Sequence, residues 1–167
     1  MRKYMINTQH LGMRLIKLGD ERYLAEIDKD AEVKRFYPEG TLTDAQITEF
    51  INESLDNYQQ KRLPCFVIFK ARTSEFVGEA YFDQLKTGEI KVGYLIHKKF
   101  WNKGYGSELL KALLNWAKIN INSDYIIAYA DKNNEGSFRV MEKSGMKYYK
   151  TAEYLDMDCH FYRKKNK

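Results

Sequence analysis

Residues 93–117, GYLIHKKFWNKGYGSELLKALLNWA, constrain this chain more than any other stretch. They read as a buried strand, a short basic loop with two glycines, and a long helix with one apolar face. The run 89–96 carries Ile90, Val92, Tyr94, Leu95 and Ile96 in loose alternation, which favours a strand. Residues 98–103 break that pattern. From Gly104 onward Leu109, Leu110, Leu113, Leu114 and Ala117 recur at helical spacing. A helix that starts at the glycines leaves backbone N–H groups unpaired, and its dipole adds partial positive charge there. Gly104 and Gly106 lack a Cβ, so a bulky anion can approach those donors, and Lys98, Lys99 and Lys103 add charge at the same end. This is chemistry suited to phosphate, although a G-x-G before a helix also fits a plain tight turn. The spacing of a P-loop, G-x-x-x-x-G-K-[ST], is missing. So are the third glycine and distal ribose-binding acid of a dinucleotide fingerprint.

Composition narrows the classes that remain. At 167 residues the chain has the size of one domain, 1–167, and is long enough for a real core. With 44% apolar and 14% aromatic residues it is neither disordered nor membrane-embedded in character, and no run approaches the ~18 apolar residues of a membrane helix. The start, MRKYMINTQH, lacks the apolar stretch of a signal peptide, so a cytoplasmic location is expected. Cys65 and Cys159 make neither a disulfide framework nor a metal-ligand pattern, and Cys65 lies in an apolar run as a buried thiol would. No metal is expected. The net charge of +5 suits an anionic ligand, but much of it comes from Arg163, Lys164, Lys165 and scattered lysines, so no nucleic-acid partner is indicated.

In chain order, residues 13–18 (MRLIKL) alternate as a first strand, and Asp20 can cap a helix running to about Ile27. Residues 31–40 read as a short helix or loop stopped by Pro38 and Gly40. Thr43 and Gln46 make a capping box for a second helix with Ile47, Phe50, Ile51, Leu55 and Tyr58 on its apolar stripe. Runs 65–70, 76–85 and 89–96, joined by turn-like residues, should form an antiparallel meander. After the central helix, 125–130 (YIIAYA) is a buried strand. Asn133 or Asn134 starts a helix that stops at Gly145. Strands at 146–151 and 160–163 follow, separated by AEYLDMDC. The expected architecture is one α/β domain.

This order of elements resembles the GNAT superfamily of acetyl-CoA-dependent N-acetyltransferases, and more narrowly its RimJ/RimL-type branch, the ribosomal-protein N-terminal acetyltransferases and their relatives. Trp101-Asn102-Lys103-Gly104-Tyr105-Gly106-Ser107-Glu108 resembles the branch's acetyl-CoA pyrophosphate loop. Asn134-Glu135-Gly136-Ser137, continuing to Glu142-Lys143-Ser144-Gly145-Met146, resembles the Asn-x-x-Ser…Glu-Lys-x-Gly-Phe signature. MRLIKL and AEYLDMDCHFY also fit. The resemblance covers almost the whole chain. It implies a mixed, mostly antiparallel sheet of about six to seven strands flanked by about four helices.

It also implies a site. Pantetheine would pair with the strand edge at Leu95, Ile96 and His97, and Asn102, Lys103, Gly104, Tyr105, Gly106 and Ser107 would hold the pyrophosphate. Asn134, with Ser137, would bind the pantetheine arm. The amine would attack the thioester directly, with backbone N–H near Leu95 polarising the carbonyl. Many relatives use a Tyr as the acid at the position of Met141, which cannot donate a proton, so Ser137 becomes the substitute, as in RimL-like enzymes; helix capping is its plainer role. Glu89 is the expected general base and Glu79 its rival, while His97 also reads as polar surface. The acceptor would be a primary amine: a protein N-terminus, an aminoglycoside, a polyamine or another small amine. A longer acyl-CoA donor, a non-catalytic CoA-binding sensor and a basic nucleic-acid binder are the other readings. Neither a monomer nor a homodimer is favoured, and no membrane partner is expected. The acceptor-choosing loops would lie near 32–43 and 154–159.

Overall fold

The computed structural model describes residues 3–167. Among them, four helices pack on a sheet whose strands are β1 (Ile6–Asn7), β2 (Leu11–Leu15), β3 (Cys65–Lys70), β4 (Phe76–Gln84), β5 (Ile90–Ile96), β6 (Tyr125–Asp131), β7 (Lys147–Tyr154) and β8 (Met157–Lys165). The helices are α1 (Glu21–Asp28), α2 (Asp44–Lys61), α3 (Tyr105–Asn120) and α4 (Glu135–Lys143). The eight strands lie in the order β1-β2-β3-β4-β5-β6-β8-β7, antiparallel except for β5 beside β6. The additional strand is β1, whose two residues are too short to show alternation. β3, β4 and β5 form the expected meander.

Local chemistry explains the helix ends. Thr43 and Gln46 exchange both bonds of a capping box at α2. Asp20 precedes α1 but does not cap it with its side chain. Its carboxylate is taken by Arg14, at 2.8 and 2.9 Å, and by the Lys17 N–H. A bidentate cation close by outcompetes a weaker cap. Asn134 caps α4 by accepting from Ser137 N–H, and Gly145 ends it with φ of +88°.

The final hairpin is longer than its sequence suggests. β7 and β8 meet at a two-residue turn, Leu155–Asp156, with φ of 53° and 62°. Such a turn usually advertises itself as Asn-Gly, and here the signal is absent.

Two apolar layers hold the sheet. Leu109, Leu110, Leu113, Leu114 and Ala117 of α3 are buried against one face with Phe66, Phe82, Val92 and Ile126. On the other face α1 and α2 bury Leu24, Ile27, Ile47 and Ile51 against Val67, Phe69 and Leu95. Each such Leu, Ile, Val or Phe contributes about 1.5–3 kcal/mol by leaving water.

The sheet then divides. β5 pairs with β6 only at Ile90 and Lys91, opposite Ile126 and Ile127, while both strands continue well beyond. From Val92 onward β5 therefore has an open edge, and α3 and α4 begin beside it. That opening positions the site.

Candidate active site

A cavity of about 560 Å³ occupies the opening. Its walls come from the end of β5 (Tyr94, Leu95, Ile96), the start of α3 (Gly104, Tyr105, Gly106, Ser107), the first turns of α4 (Asn134, Ser137, Arg139) and the loop around Phe36 and Tyr37. His97 N–H donates to Val77 O on β4. By the two-residue alternation of a strand, the Leu95 amide faces β4 as well, and those of Tyr94 and Ile96 face the open edge. Two contacts agree. Tyr37 Oη donates to Tyr94 O at 3.2 Å, and Trp101 Nε1 donates to Ile96 O at 2.8 Å. The amide that faces the cleft near Leu95 is therefore that of Tyr94 or Ile96, while the Leu95 amide faces β4.

α3 starts without a side-chain cap, because its N-cap is Gly104 at φ +83°. The amides of Tyr105, Gly106 and Ser107 consequently lie free at the cavity wall. Asn102, with φ of 59°, bends the loop back towards them. Gly106 has a second role: a Cβ there would lie 3.1 Å from Val140 Cγ2, so its absence brings α3 and α4 together. The cavity also holds Arg35, Arg139 and Lys143, a basic rim suited to phosphates.

Some expected residues are not on that wall. The Lys103 side chain is exposed and outside the lining. His97 turns its ring away, accepting from Lys99 N–H through Nδ1 and facing Glu26 at 3.6 Å through Nε2. Glu89 does not reach the cleft. It lies before β5 at the β4–β5 turn, bonded to Thr87 and Tyr149. Six residues of strand, on the order of 20 Å, separate it from Leu95.

Glu79 is placed differently. It pairs directly with Leu95 across β4 and β5, so the two side chains share a face. It is buried, and its Oε2 has no hydrogen-bond partner. Asp28 and Lys34, also buried, stand nearby, with Lys34 Nζ 3.6 Å from Asp28 and 2.9 Å from Glu39. One buried ammonium cannot compensate two buried carboxylates. Burial first, and then Asp28, push the Glu79 carboxyl up to about 8, with Lys34 opposing. Asp28 is raised too, burial outweighing Lys34.

Where β5 and β6 diverge, Ser137 Oγ lies 3.2 Å from Tyr94 Oη. Burial pushes the Tyr94 hydroxyl up to about 12, against the bond to Ser137, so it stays protonated at neutral pH. Met141 is buried in the apolar layer beneath. A second cavity of about 160 Å³ continues past Tyr94 and Ser137 to the other face of the sheet.

The acetyltransferase (GNAT) domain family matches residues 10–147. The chain belongs to the GNAT family. This GNAT chain is 27% identical over 143 residues to YnaD of Bacillus subtilis (strain 168), an uncharacterised N-acetyltransferase, covering 85% of this chain and 82% of that one. Its fold is similar to that of a GNAT-family acetyltransferase from Bacillus anthracis, with TM-score 0.83 and 24% identity, over 96% and 98% of the two chains. It is also similar to RimL, a ribosomal L7/L12 alpha-N-protein acetyltransferase in complex with coenzyme A, with TM-score 0.81 and 16% identity over 95% of each. As a GNAT enzyme it is an acetyl-CoA-dependent acyltransferase.

The residues fit that co-substrate. Free amides at α3, a basic rim and an unpaired strand edge are the three features a CoA ester requires: anion donors, counter-charge and amide partners. The reading of motifs missed Tyr37, Tyr94, Arg139 and Lys143. Arg139 and Lys143 carried a faint signal, as basic residues one helical turn apart beyond Ser137. Tyr37 and Tyr94 carried none, since their roles arise from long-range contact.

Proposed function

We propose that this protein transfers an acetyl group from acetyl-CoA to a primary amine by direct attack, with Glu79 in place of Glu89 as the general base. Glu79 carries this reading because its buried carboxyl, with Oε2 unpartnered, pairs across from Leu95 and so stands directly behind the wall of the cleft. Acetyl-CoA supplies an acyl group activated as a thioester. The amides of Tyr105, Gly106 and Ser107 hold its phosphates, the open-edge groups of Tyr94 and Ile96 pair with the pantetheine, and Asn134 orients that arm. An ammonium has no lone pair, so the acceptor must lose a proton first. Glu79, pushed up to about 8, accepts it through one water. The Tyr94–Ser137 hydroxyl pair holds a proton at the other side of the reacting centre.

Thiol release from acetyl-CoA across a panel of amines tests the reaction itself. With an accepted amine, kcat/KM should rise through about pH 8. Glu79→Gln should lower it by ~10²–10⁴-fold and remove that step in the profile, whereas Glu89→Gln should leave both unchanged. A Glu79→Gln enzyme with wild-type activity and profile overturns the assignment. Binding of acetyl-CoA without thiol release from any amine would instead support a CoA sensor.

A further inference from the structure

The second cavity holds a cation that the acetyl-transfer reading leaves unused. Lys91 sits on the α1–α2 face of β5, in the wall of that cavity. Its Nζ donates to Tyr129 Oη at 2.8 Å and lies 4.6 Å from the centre of the Tyr129 ring and 5.2 Å from that of Tyr81. An ammonium has three donors, and this one has no ion pair among the described residues. Three acids stand near without bonding it, and two of them, Glu39 and Asp131, share the cavity wall. Glu39 is bound by Lys34 at 2.9 Å, and Asp131 accepts from Asn133 N–H. Asp83, opposite Lys91 on β4, accepts from Gln84 N–H.

The position of Lys91 fits a small ligand. It shares a face of β5 with Leu95, about 13 Å on along the backbone at ~3.3 Å per residue, and its Nζ stands near the Tyr81 ring that lies over Gly93, which shortens that gap. Between them Gly93 has no side chain. Tyr81 fills that place, its Oη 2.7 Å from where a Cβ would stand, and so floors the interval with an aromatic ring. The cavity, about 160 Å³, admits a molecule of only several heavy atoms. Aromatic faces compensate a half-buried ammonium only in part. An arriving carboxylate would complete its hydrogen bonds where low dielectric strengthens them.

We propose that Lys91 binds a carboxylate on the acceptor, so that the amine substrate is a small amino acid rather than a polyamine or an aminoglycoside. This rests on the acetyl-transfer reading above. The acid end lies at Lys91, between Tyr81 and Tyr129, and the amine points along Gly93 towards Leu95 and Glu79. A polycation would meet Lys91 as well as Glu39 and Asp131 in the same wall, so the choice rests on the hydrogen bonds left open at Lys91. Lys91 positions the acceptor and takes no part in the proton transfers.

The test compares the twenty free amino acids with their carboxamides as acceptors, with spermidine and an aminoglycoside beside them, by thiol release from acetyl-CoA. At least one free amino acid should exceed its amide in kcat/KM by ~10–100-fold, the range of one charge-assisted bond. Lys91→Met should abolish that ratio by raising KM for the acid alone, and Lys91→Arg should restore part of it. Titration calorimetry on the free protein should show the N-acetyl derivative of that amino acid binding, and its amide binding at least ~10-fold more weakly. Amides accepted as well as acids overturn the proposal, even if Lys91→Met fails to fold. So does equal loss on both series, which marks Lys91 as a brace between two tyrosines. Turnover of spermidine or the aminoglycoside alone overturns it while leaving acetyl transfer intact. Thiol release with no amine, despite bound acetyl-CoA, removes the reading beneath it.

Discussion

Glu79 ties catalysis and stability to one proton. A carboxyl whose folded pKa of about 8 lies above its ordinary 4.5 keeps a proton in the native state that the unfolded chain releases. Between those values folding takes up a proton, so stability falls as pH rises through that window. Glu79→Gln removes the ionisation. Its melting temperature should gain on the wild type steadily from pH 5 to pH 8, and a constant difference would show that the wild-type carboxyl is ionised throughout. The hydroxyl pair on the other side has a smaller effect. A thiol near pKa 8.5 is already a fair leaving group, so Ser137→Ala should cost about 10²-fold in kcat or less. Tyr94→Phe should cost a similar amount. Because Tyr94 Oη and Ser137 Oγ touch at 3.2 Å, the double variant should lose less than the product of the two. Multiplicative losses would mean that the two hydroxyls act separately.

At the level of elements, the decisive piece is the first turn of α3. Its free amides attract anions, and a fixed negative charge placed there should compete with the phosphates of acetyl-CoA. Ser107→Glu adds such a charge in the first turn of a helix, where an acid favours folding. We expect its melting temperature to be unchanged or raised by a degree or two and its acetyl-CoA affinity to fall at least ~10-fold, read by calorimetry. Undiminished affinity would move the phosphates away from this turn. Gly106→Val is a poorer probe, because its side chain would strike Val140 and part α3 from α4 as well. The first strand, β2, also illustrates why element ends were harder to read than elements. MRLIKL alternates to Leu18, but pairing with β3 runs only from Leu11 to Leu15, where the partner's own length stops it.

For the whole molecule, the cleft joins parts far apart in sequence: the loop at Phe36–Tyr37, the end of β5 and the starts of α3 and α4. A ligand bound there links them all and stabilises only the folded state. At ~100 times its dissociation constant, acetyl-CoA should add about 2.7 kcal/mol, which for a domain of this size is a melting-temperature rise of ~5–10 °C. If neither acetyl-CoA nor CoA changes the melting temperature, the cleft is not a CoA site. No described helix is long and apolar enough to cross a membrane. The apolar stripes of α1 to α4 pack into the two sheet layers.

The sequence by itself determined the elements whose signals are local. Leucines at helical spacing produced α3, Thr43 with Gln46 produced the start of α2, Gly104 marked the uncapped start of α3, and Asn134 marked the cap of α4. These depend on backbone groups within a few residues, so spacing reveals them. The tertiary structure decided what depends on distance. Glu79 and Glu89 are both plain strand carboxylates on paper. Only the register of β4 against β5 sets Glu79 beside Leu95, and only packing with Asp28 and Lys34 withdraws it from water and raises its pKa. Lys91 likewise looks like an ordinary polar strand residue until Tyr81 and Tyr129 enclose it from β4 and β6. Burial and long-range pairing change the free energy of a charge far more than its sequence neighbours do, and neither can be counted along the chain.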